Sequence, residues 1–341
     1  MAMTFQDFAP QGSMIASLQR QVAEGTLPHA LLLCGEKGMG KKTLAQLIAS
    51  ALLCTGDGEK PCGLCEDCRL VAENGHPDLV LVRRGVPLAP DGKAGRASIP
   101  VEDIRELIRI CGENPSRDGK RAVLIFDAES MTDQAQNALL RTLEEPPTET
   151  HFILVTEKKE SILTTIRSRC RMLALHPWED RFLLQLLAHQ GVEKKRAEEA
   201  VLDAGGSIGA ALDLAVNEEY WKRKEEIMAA FFGTESRSEI LRISASWKDR
   251  KAEAEELFSV LEGETERLLR ARFRQSGAAD SLSRFPVRWQ RFASRAEPAR
   301  FSFLLDEIGR SRKLTGANVN FQAVTEQLLM AFIGEGNQWQ K

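Results

Sequence analysis

The chain has 341 residues, 43% of them apolar and 28% charged, which is typical of water-soluble globular proteins. This length exceeds what one hydrophobic core usually serves, so we expect two or three domains. The net charge of −3 gives nucleic acid no general attraction, and we find neither a bilayer-spanning apolar run nor a signal peptide. The composition therefore argues against a membrane protein and predicts a cytoplasmic one.

The predicted elements alternate between helix and strand over the first half of the chain. Ile15, Leu18 and Val22 recur at helical spacing, which predicts a helix over residues 13–23. Runs of apolar and β-branched residues predict strands, in chain order at 30–34, 79–82, 122–126, 152–155 and 172–175. Helical stretches separate these strands, so the sequence predicts an α/β fold with a parallel sheet covered on both faces.

The strand pattern stops after Pro177, and the rest of the chain is predicted to be helical. Residues 177–217 carry two or three short helical patterns and have the size of a small lid domain. The remainder predicts an all-α domain with helices at 218–232, 250–275, 296–313 and 318–333, packed around Trp221, Trp247, Trp289 and Trp339. We thus predict an α/β domain over 1–176, a lid over 177–217 and a C-terminal helical domain over 218–341.

A glycine-rich stretch follows the first strand: residues 35–43 read Gly-Glu-Lys-Gly-Met-Gly-Lys-Lys-Thr. An apolar strand, a glycine-rich turn and a helix in this order are the context of a phosphate-binding loop. Gly35, Gly38 and Gly40 allow backbone amides to converge on an anion, and Lys41 supplies a positive charge for the outer phosphates.

The position after Lys41 departs from this motif. A hydroxyl is needed there to hold Mg²⁺, but the chain has Lys42, and Thr43 comes one position late. A second ammonium group offers the metal no oxygen and repels it. The loop is therefore predicted to accept phosphate but to be poorly equipped to activate it.

A second part of a nucleotide site is predicted at the end of the third strand. An apolar run ends in Asp127, which suits a Walker-B carboxylate that holds Mg²⁺ at the carboxyl end of a parallel sheet. Active ATPases of this class have a glutamate next, but this chain has Ala128, followed by Glu129. If strand geometry continues, Glu129 cannot take over that role, because side chains alternate between faces. An ordinary turn aspartate is the alternative.

The cysteines of residues 54–68 form a C-x7-C-x2-C-x2-C pattern of Cys54, Cys62, Cys65 and Cys68. Four thiolates at this short spacing predict a closed tetrahedral Zn²⁺ site with a structural role. His76 lies close in sequence and is an alternative ligand, although His-Pro-Asp before a strand is more often a turn.

Two later stretches resemble a known family. Residues 135–147 read Ala-Gln-Asn-Ala-Leu-Leu-Arg-Thr-Leu-Glu-Glu-Pro-Pro, and residues 165–170 read Thr-Ile-Arg-Ser-Arg-Cys. With the strand before Thr156 and the cysteine module, they resemble the AAA+ subunits of the bacterial DNA polymerase III clamp loader. The resemblance is strong over residues 5–175 and weak over the C-terminal helices.

Within this family the chain resembles delta-prime-type subunits more than the ATP-hydrolysing gamma/tau type. Hydrolysing members have Thr, Glu and Arg at positions where this chain has Lys42, Ala128 and Gly209. The resemblance implies a stator without intrinsic ATPase activity, a subunit of the DNA polymerase III holoenzyme that helps load the sliding clamp during DNA replication. It also implies an AAA+ P-loop domain with a zinc module, a lid and a C-terminal collar that forms a hetero-oligomer.

The resemblance further implies roles for particular residues and partners. Arg169, in Ser-Arg-Cys, is implied to act in trans as an arginine finger on the ATP of a neighbouring subunit, and Thr156 resembles a sensor-1 residue. The implied partners are gamma/tau and delta subunits, with the sliding clamp and primed DNA in the assembled complex. ATP or ADP binding stays open, with Gly35, Gly38, Gly40, Lys41, Lys42, Thr43, Asp127 and Thr156 as the candidate contacts.

Two rival functions remain at this point. The first is an active gamma/tau-type ATPase in which Thr43 and Glu129 serve through a shifted register. The second is a nucleotide kinase with the same phosphate-binding loop, although the sequence contains no recognisable acceptor-binding motif.

Overall fold

The structure is a computed structural model, and it describes residues 4–117, 119–147, 149–273, 282–283, 285–317 and 319–338. The chain forms two compact units, Met1–Ala215 and Val216–Lys341. The first unit contains the sheet together with the helices predicted for the lid. The division of the chain into three domains stays a prediction.

The first unit is built on a sheet of five parallel strands. In chain order they are β1 (Ala30–Cys34), β2 (Leu79–Val82), β3 (Arg121–Ile125), β4 (Thr150–Thr156) and β5 (Arg171–Ala174). Their order across the sheet is β2-β3-β4-β1-β5, and each neighbouring pair is parallel. The predicted parallel α/β sheet is confirmed, and the predicted strand ends are close to the observed ones.

Some helices of this unit connect the strands, and the others lie before the first strand or after the last one. The helices are α1 (Ser13–Ala23), α2 (Lys41–Leu53), α3 (Glu66–Ala72), α4 (Val101–Cys111), α5 (Asp133–Glu144), α6 (Thr164–Arg167), α7 (Asp180–His189), α8 (Lys194–Ala204) and α9 (Ile208–Val216). Since strands and helices pack on each other, β1 and β3 are buried over their whole length. Their continuous apolar runs follow from this two-sided burial.

The carboxyl ends of the central strands bring the candidate loops together. Cys34 at the end of β1 pairs with Thr156 at the end of β4, and Ile125 at the end of β3 pairs with Leu154. The glycine-rich loop and Asp127 therefore leave the sheet on either side of Thr156. Ligands of open parallel sheets bind at this edge.

The second unit is helical, as predicted. Its helices are α10 (Glu218–Met228), α11 (Ile240–Ser246), α12 (Ala254–Phe273), α13 (Val287–Arg295), α14 (Pro298–Gly316) and α15 (Phe321–Asn337), and a π-helical stretch (Ala229–Gly233) extends α10. The short helices α11 and α13 were not predicted. No helix in the described ranges has both the length and the apolar character needed to cross a bilayer.

Aromatic side chains form the centre of the second core. Phe232, Trp289 and Phe332 contact one another with ring centroids 5.0–5.9 Å apart. Trp221 and Trp247 are also buried, which confirms their predicted packing role. Trp339 lies outside the described residues.

Candidate functional site

The glycine-rich loop has the geometry of a phosphate-binding loop. Gly38 and Gly40 have φ of +78° and +87°, a left-handed backbone that suits glycine, and Lys41 begins α2 directly afterwards. The Lys41 ammonium donates hydrogen bonds to the carbonyls of Gly35 at 2.8 Å and Glu36 at 2.5 Å. Two of its three protons are thus held by the loop, and one is left for an anion.

Burial affects the charge of Lys41. Its side chain is only 6% exposed, and this burial lowers its pKa, while the nearby carboxylates of Glu157 and Glu129 oppose the effect. A buried ammonium group is favoured by anions close to it. The loop therefore favours a negatively charged occupant.

The side chain of Lys42 reaches the candidate Walker-B carboxylate. Its ammonium lies 2.8 Å from Oδ1 of Asp127, and it also lies 5.4 Å from the centre of the Phe126 ring. Asp127 is the candidate Walker-B carboxylate, and here it is neutralised by a cation of the same chain. A metal that uses this carboxylate must first displace the ammonium, so the contact disfavours Mg²⁺.

The residues after Asp127 do not continue the strand. β3 ends at Ile125, Asp127 has a left-handed φ of +54°, and Ala128–Ser130 form a short 3-10 helix. The alternation expected for a continuing strand therefore does not apply to Glu129. One carboxylate oxygen of Glu129 is buried and has no hydrogen-bond partner within the described residues, whereas Ala128 offers only a methyl group.

The start of α9 lies against the glycine-rich loop. The amide of Gly209 donates a 2.9 Å hydrogen bond to the carbonyl of Gly38, and a Cβ atom on Gly209 would lie 3.3 Å from the Cα of Gly38. Trp178 adds a second contact by donating from its indole to the carbonyl of Met39 at 3.1 Å. Gly209 thus contacts the loop directly through its backbone. This is the position where the resemblance implies an arginine in ATP-hydrolysing subunits.

A cavity of about 330 Å³ opens beside the loop. Its walls combine apolar side chains with the loop cations, and its lining includes Phe8, Lys41, Thr43, Glu157, Ile208, Gly209 and Leu212. Thr156 is buried at the end of β4, and its hydroxyl accepts a hydrogen bond from the amide of Lys158. The structure thus brings the loop, Lys42, Asp127 and Thr156 to the same edge of the sheet.

The four cysteines converge as the pattern predicted. Their sulfur atoms all lie within 4.8 Å of one another, and the distances from Cys54 to Cys65 and from Cys62 to Cys68 are 3.9 and 4.0 Å. A tetrahedral zinc ion with Zn–S bonds of about 2.3 Å requires sulfurs roughly 3.8 Å apart. The donor set and its spacing therefore fit zinc.

Backbone amides support these sulfurs as acceptors. The amides of Cys62, Cys65 and Cys68 lie 3.3–3.4 Å from the sulfurs of Cys54, Cys62 and Cys65, respectively. Burial raises the pKa of Cys65, but hydrogen bonds from the Cys68 amide and neighbouring thiols outweigh it and bring that pKa to about 6. A thiolate is the form that binds metal, so Cys65 is favoured as a ligand, whereas burial raises the pKa of Cys54 and brings that of Cys68 to about 12.

His76 is used elsewhere. Its Nε2 lies 3.2 Å from the Asp67 carboxylate and its Nδ1 accepts the amide of Asp78 at 3.0 Å. Asp67 also accepts from the Thr55 hydroxyl and from Arg117 at 2.9 Å. Both ring nitrogens of His76 are thus engaged, and the residue ties the cysteine module to the rest of the unit.

Arg169 lies away from the loop, after α6. Its Nη1 donates to the carbonyl of Thr165 at 2.9 Å, and its Nη2 contacts the carboxylate of Glu144. The side chain is 33% exposed, so part of the guanidinium faces solvent. The structure does not bring Arg169 into the chain's own loop site, and its predicted role in trans stays a prediction.

Fold and site together define a class: an α/β protein with a parallel sheet and a glycine-rich loop, in which Lys42 pairs with Asp127. The family described as "DNA polymerase III, delta subunit" matches residues 10–179. The DNA polymerase III subunit delta' of Escherichia coli (strain K12) is 37% identical over 204 residues, which are 59% of this chain and 58% of that protein. Residues 10–179 match this family, and the similarity to proteins named subunit delta' confirms the resemblance seen in the motifs.

Other proteins are similar as well. The DNA polymerase III subunit tau of the same organism is 32% identical over 218 residues, 62% of this chain and 32% of that protein. The match thus spans less than two thirds of either relative. Among solved structures, a DNA polymerase III gamma-subunit-related protein of Thermotoga maritima aligns with a TM-score of 0.42 at 18% identity, covering 96% of this chain and 99% of that one.

Several contacts of the site were not predicted from the sequence. They are the contact of Gly209 with Gly38, the pairing of Arg169 with Glu144 and the hydrogen bond between Asp67 and His76. The first two join residues far apart in the chain, which no local pattern reports. For the third, the sequence offered an acidic residue, Asp67, beside Cys68, but it did not show that this residue is buried.

Proposed function

We propose that this chain is a delta-prime-type subunit of a DNA polymerase III clamp loader, one that does not itself hydrolyse ATP. The observation that carries this proposal is the contact between Lys42 and Asp127 at 2.8 Å. Hydrolysis in P-loop enzymes needs a metal between the Walker-B carboxylate and the phosphates. An ammonium bonded to that carboxylate opposes such a metal.

A second deficiency supports the same conclusion. The position that should carry a water-polarising glutamate is Ala128, which is fully buried and has no group that accepts a proton. Similarity to proteins named subunit delta' supports the assignment to this subunit rather than to a free-standing enzyme. The chain then serves as a stator, a rigid subunit against which its neighbours change conformation.

The contribution to catalysis is proposed to occur in trans. Arg169 is partly exposed on a short, well-anchored turn, and its guanidinium can donate several hydrogen bonds to the oxygens of a transferring phosphoryl group. We assign it to the ATP of a neighbouring gamma/tau-type subunit. The delta subunit, the sliding clamp and primed DNA are further partners of the assembled hetero-oligomer, in which residues 218–341 form the collar.

The cysteine module is proposed to hold one structural Zn²⁺. Cys54, Cys62, Cys65 and Cys68 supply four thiolates, which leaves no open position for a substrate. The metal would fix the segment between α2 and α3, a region without helix or strand.

Steady-state ATP hydrolysis tests the proposal. The isolated chain should show no turnover beyond that of a Lys41→Ala variant. Reconstituted with gamma/tau and delta subunits, it should support clamp- and DNA-stimulated hydrolysis that Arg169→Ala lowers. Turnover by the isolated chain that Lys41→Ala abolishes would contradict the stator assignment, and unchanged stimulation with Arg169→Ala would contradict the arginine finger.

The rival function is an active ATPase of the gamma/tau type. It is favoured by Glu129, whose carboxylate is close enough to Lys41 to oppose the fall of that lysine's pKa. For Glu129 to act as the base, Mg²⁺ must first replace Lys42 at Asp127. Hydrolysis by the isolated chain that is lost in Glu129→Gln would favour this rival.

A further inference from the structure

We infer that Glu144 is a positioning residue for Arg169: it orients the guanidinium before the neighbouring subunit's nucleotide arrives. The inference rests on the proposed function of Arg169. Glu144 is the last residue of α5, and one of its carboxylate oxygens contacts Nη2 of Arg169. The two residues are 25 positions apart, so the contact is made by the fold.

The guanidinium is held on more than one side. Nη1 of Arg169 donates to the carbonyl of Thr165 at 2.9 Å, and the hydroxyl of Ser168 lies 3.4 Å from the same nitrogen. These contacts use both protons of Nη1 and one proton of Nη2, so the Nε proton and the second Nη2 proton are left for an incoming phosphate. A long arginine side chain loses much rotamer freedom on ordering, and these contacts restrict it in advance.

The support beneath this arrangement comes from α5 itself. Gln136 is 2% exposed, and its amide donates to the carbonyl of Ser161 at 3.1 Å and accepts the amide of Leu163 at 2.8 Å. The segment that leads into α6 is therefore anchored to the helix that carries Glu144. The carboxylate and the guanidinium are placed by one connected set of contacts.

The location of Glu144 has an electrostatic cost. Helix C-termini favour cations, because the last carbonyls carry partial negative charge, and α5 ends with this carboxylate. Helix formation alone therefore does not account for glutamate at this position. The contact with Arg169 offsets the repulsion and gives the residue a role.

The test uses the clamp loader reconstituted from this chain and its neighbours, with ATP hydrolysis measured in the presence of clamp and primed DNA. Glu144→Ala should lower the kcat of the stimulated reaction about two- to fivefold, as expected for a partly exposed ion pair, with little change in KM. Glu144→Gln should lose less, because its amide oxygen still accepts a hydrogen bond. The adjacent Glu145→Ala is the matched control and should keep the parental kcat.

A double-mutant cycle separates positioning from a general structural effect. In an Arg169→Ala background, Glu144→Ala should cause no further loss, because its effect passes through the guanidinium. An equal loss in both backgrounds, an unchanged kcat in the single variant, or an equal loss for Glu145→Ala would overturn the inference. If Arg169→Ala itself has no effect, the proposed arginine finger fails; if only Glu144→Ala has no effect, the finger stands and the positioning role fails.

Discussion

The ammonium of Lys42 lies 2.8 Å from the carboxylate of Asp127 and neutralises the group that would hold magnesium. The two residues follow different strands, β1 and β3, and the sheet order places β4 between those strands. The pair joins both halves of a nucleotide site while leaving the loop conformation intact. The glycine-rich loop therefore keeps its left-handed glycine geometry while an ammonium group pairs with the candidate Walker-B carboxylate.

Replacing Lys42 by threonine should convert the loop towards magnesium dependence. The hydroxyl restores an oxygen ligand, and Asp127 is released from its ion pair. We expect Lys42→Thr to bind ATP roughly tenfold more tightly in Mg²⁺ than in EDTA, a difference of about 1.4 kcal/mol. Equilibrium titration under both conditions measures it. The parent and Lys93→Thr, a control at an exposed lysine, should bind ATP equally well in Mg²⁺ and in EDTA. Equal binding by Lys42→Thr under both conditions would show that the ammonium does not exclude the metal.

How much of this site could be predicted depends on the range of each interaction. The loop, Asp127 and the four cysteines are continuous motifs, and apolar runs placed the strands on which they depend. The residue type of Lys42 alone showed that this position has no oxygen ligand for magnesium. The sequence could not reveal which group would meet the ammonium until the sheet order put Asp127 beside it.

Other features needed the three-dimensional structure. Gly38 and Ser207 are far apart in the chain, and nothing in either segment indicates their contact. Likewise Glu144 lies in the stretch of residues 135–147 that indicated a family, but its contact with Arg169 depends on how α5 anchors the segment that leads into α6. The helix α13 was missed because its nine residues begin within a stretch of turn-forming composition.

Substitution of Gly38 by alanine should destabilise the first unit. Gly38 has φ of +78°, and an added Cβ would lie 2.0 Å from Oγ of Ser207. Backbone strain and this clash together should cost about 1–3 kcal/mol of unfolding free energy, measured by urea denaturation. Gly191→Ala is the control, since its φ is +77° but no atom lies within 4 Å of the added Cβ.

A second variant isolates the clash at Gly38. Adding Ser207→Gly removes the side chain that the new Cβ would meet, although it also removes the bond that Oγ of Ser207 accepts from the Ala210 amide. Gly38→Ala should therefore cost less free energy of unfolding in the Ser207→Gly background than in the parent. Equal costs for Gly38→Ala and Gly191→Ala would mean that the start of α9 does not press on the loop.

Stability should depend on pH through His151 in β4. Burial lowers the pKa of His151, although its contact with the Pro28 carbonyl opposes the shift. The unfolded chain therefore takes up a proton first as the pH falls below about 6.5, so the free energy of unfolding decreases until the lowered folded-state pKa is passed. His151→Gln should flatten this dependence between pH 7 and 5 in urea titrations. The exposed-histidine control His189→Gln should retain the parental slope, and a parental slope in His151→Gln would assign the effect to other groups.

Loss of the proposed zinc should unfold the cysteine module before the rest of the first unit. The four sulfurs are close together, and without a metal a segment that has no helix or strand loses the bonds that would cross-link it. The parent should contain about one zinc per chain by metal analysis, and Cys65→Ser should contain markedly less. Hydrogen exchange should then accelerate over residues 54–72, while the amides of β1 and β4 remain protected.

Cys111→Ser is the matched control, because that thiol is buried in the core away from the module and its loss should leave the zinc content unchanged. Full zinc retention in Cys65→Ser, or equal protection of residues 54–72 with and without a chelator, would show that these thiols do not form a structural metal site.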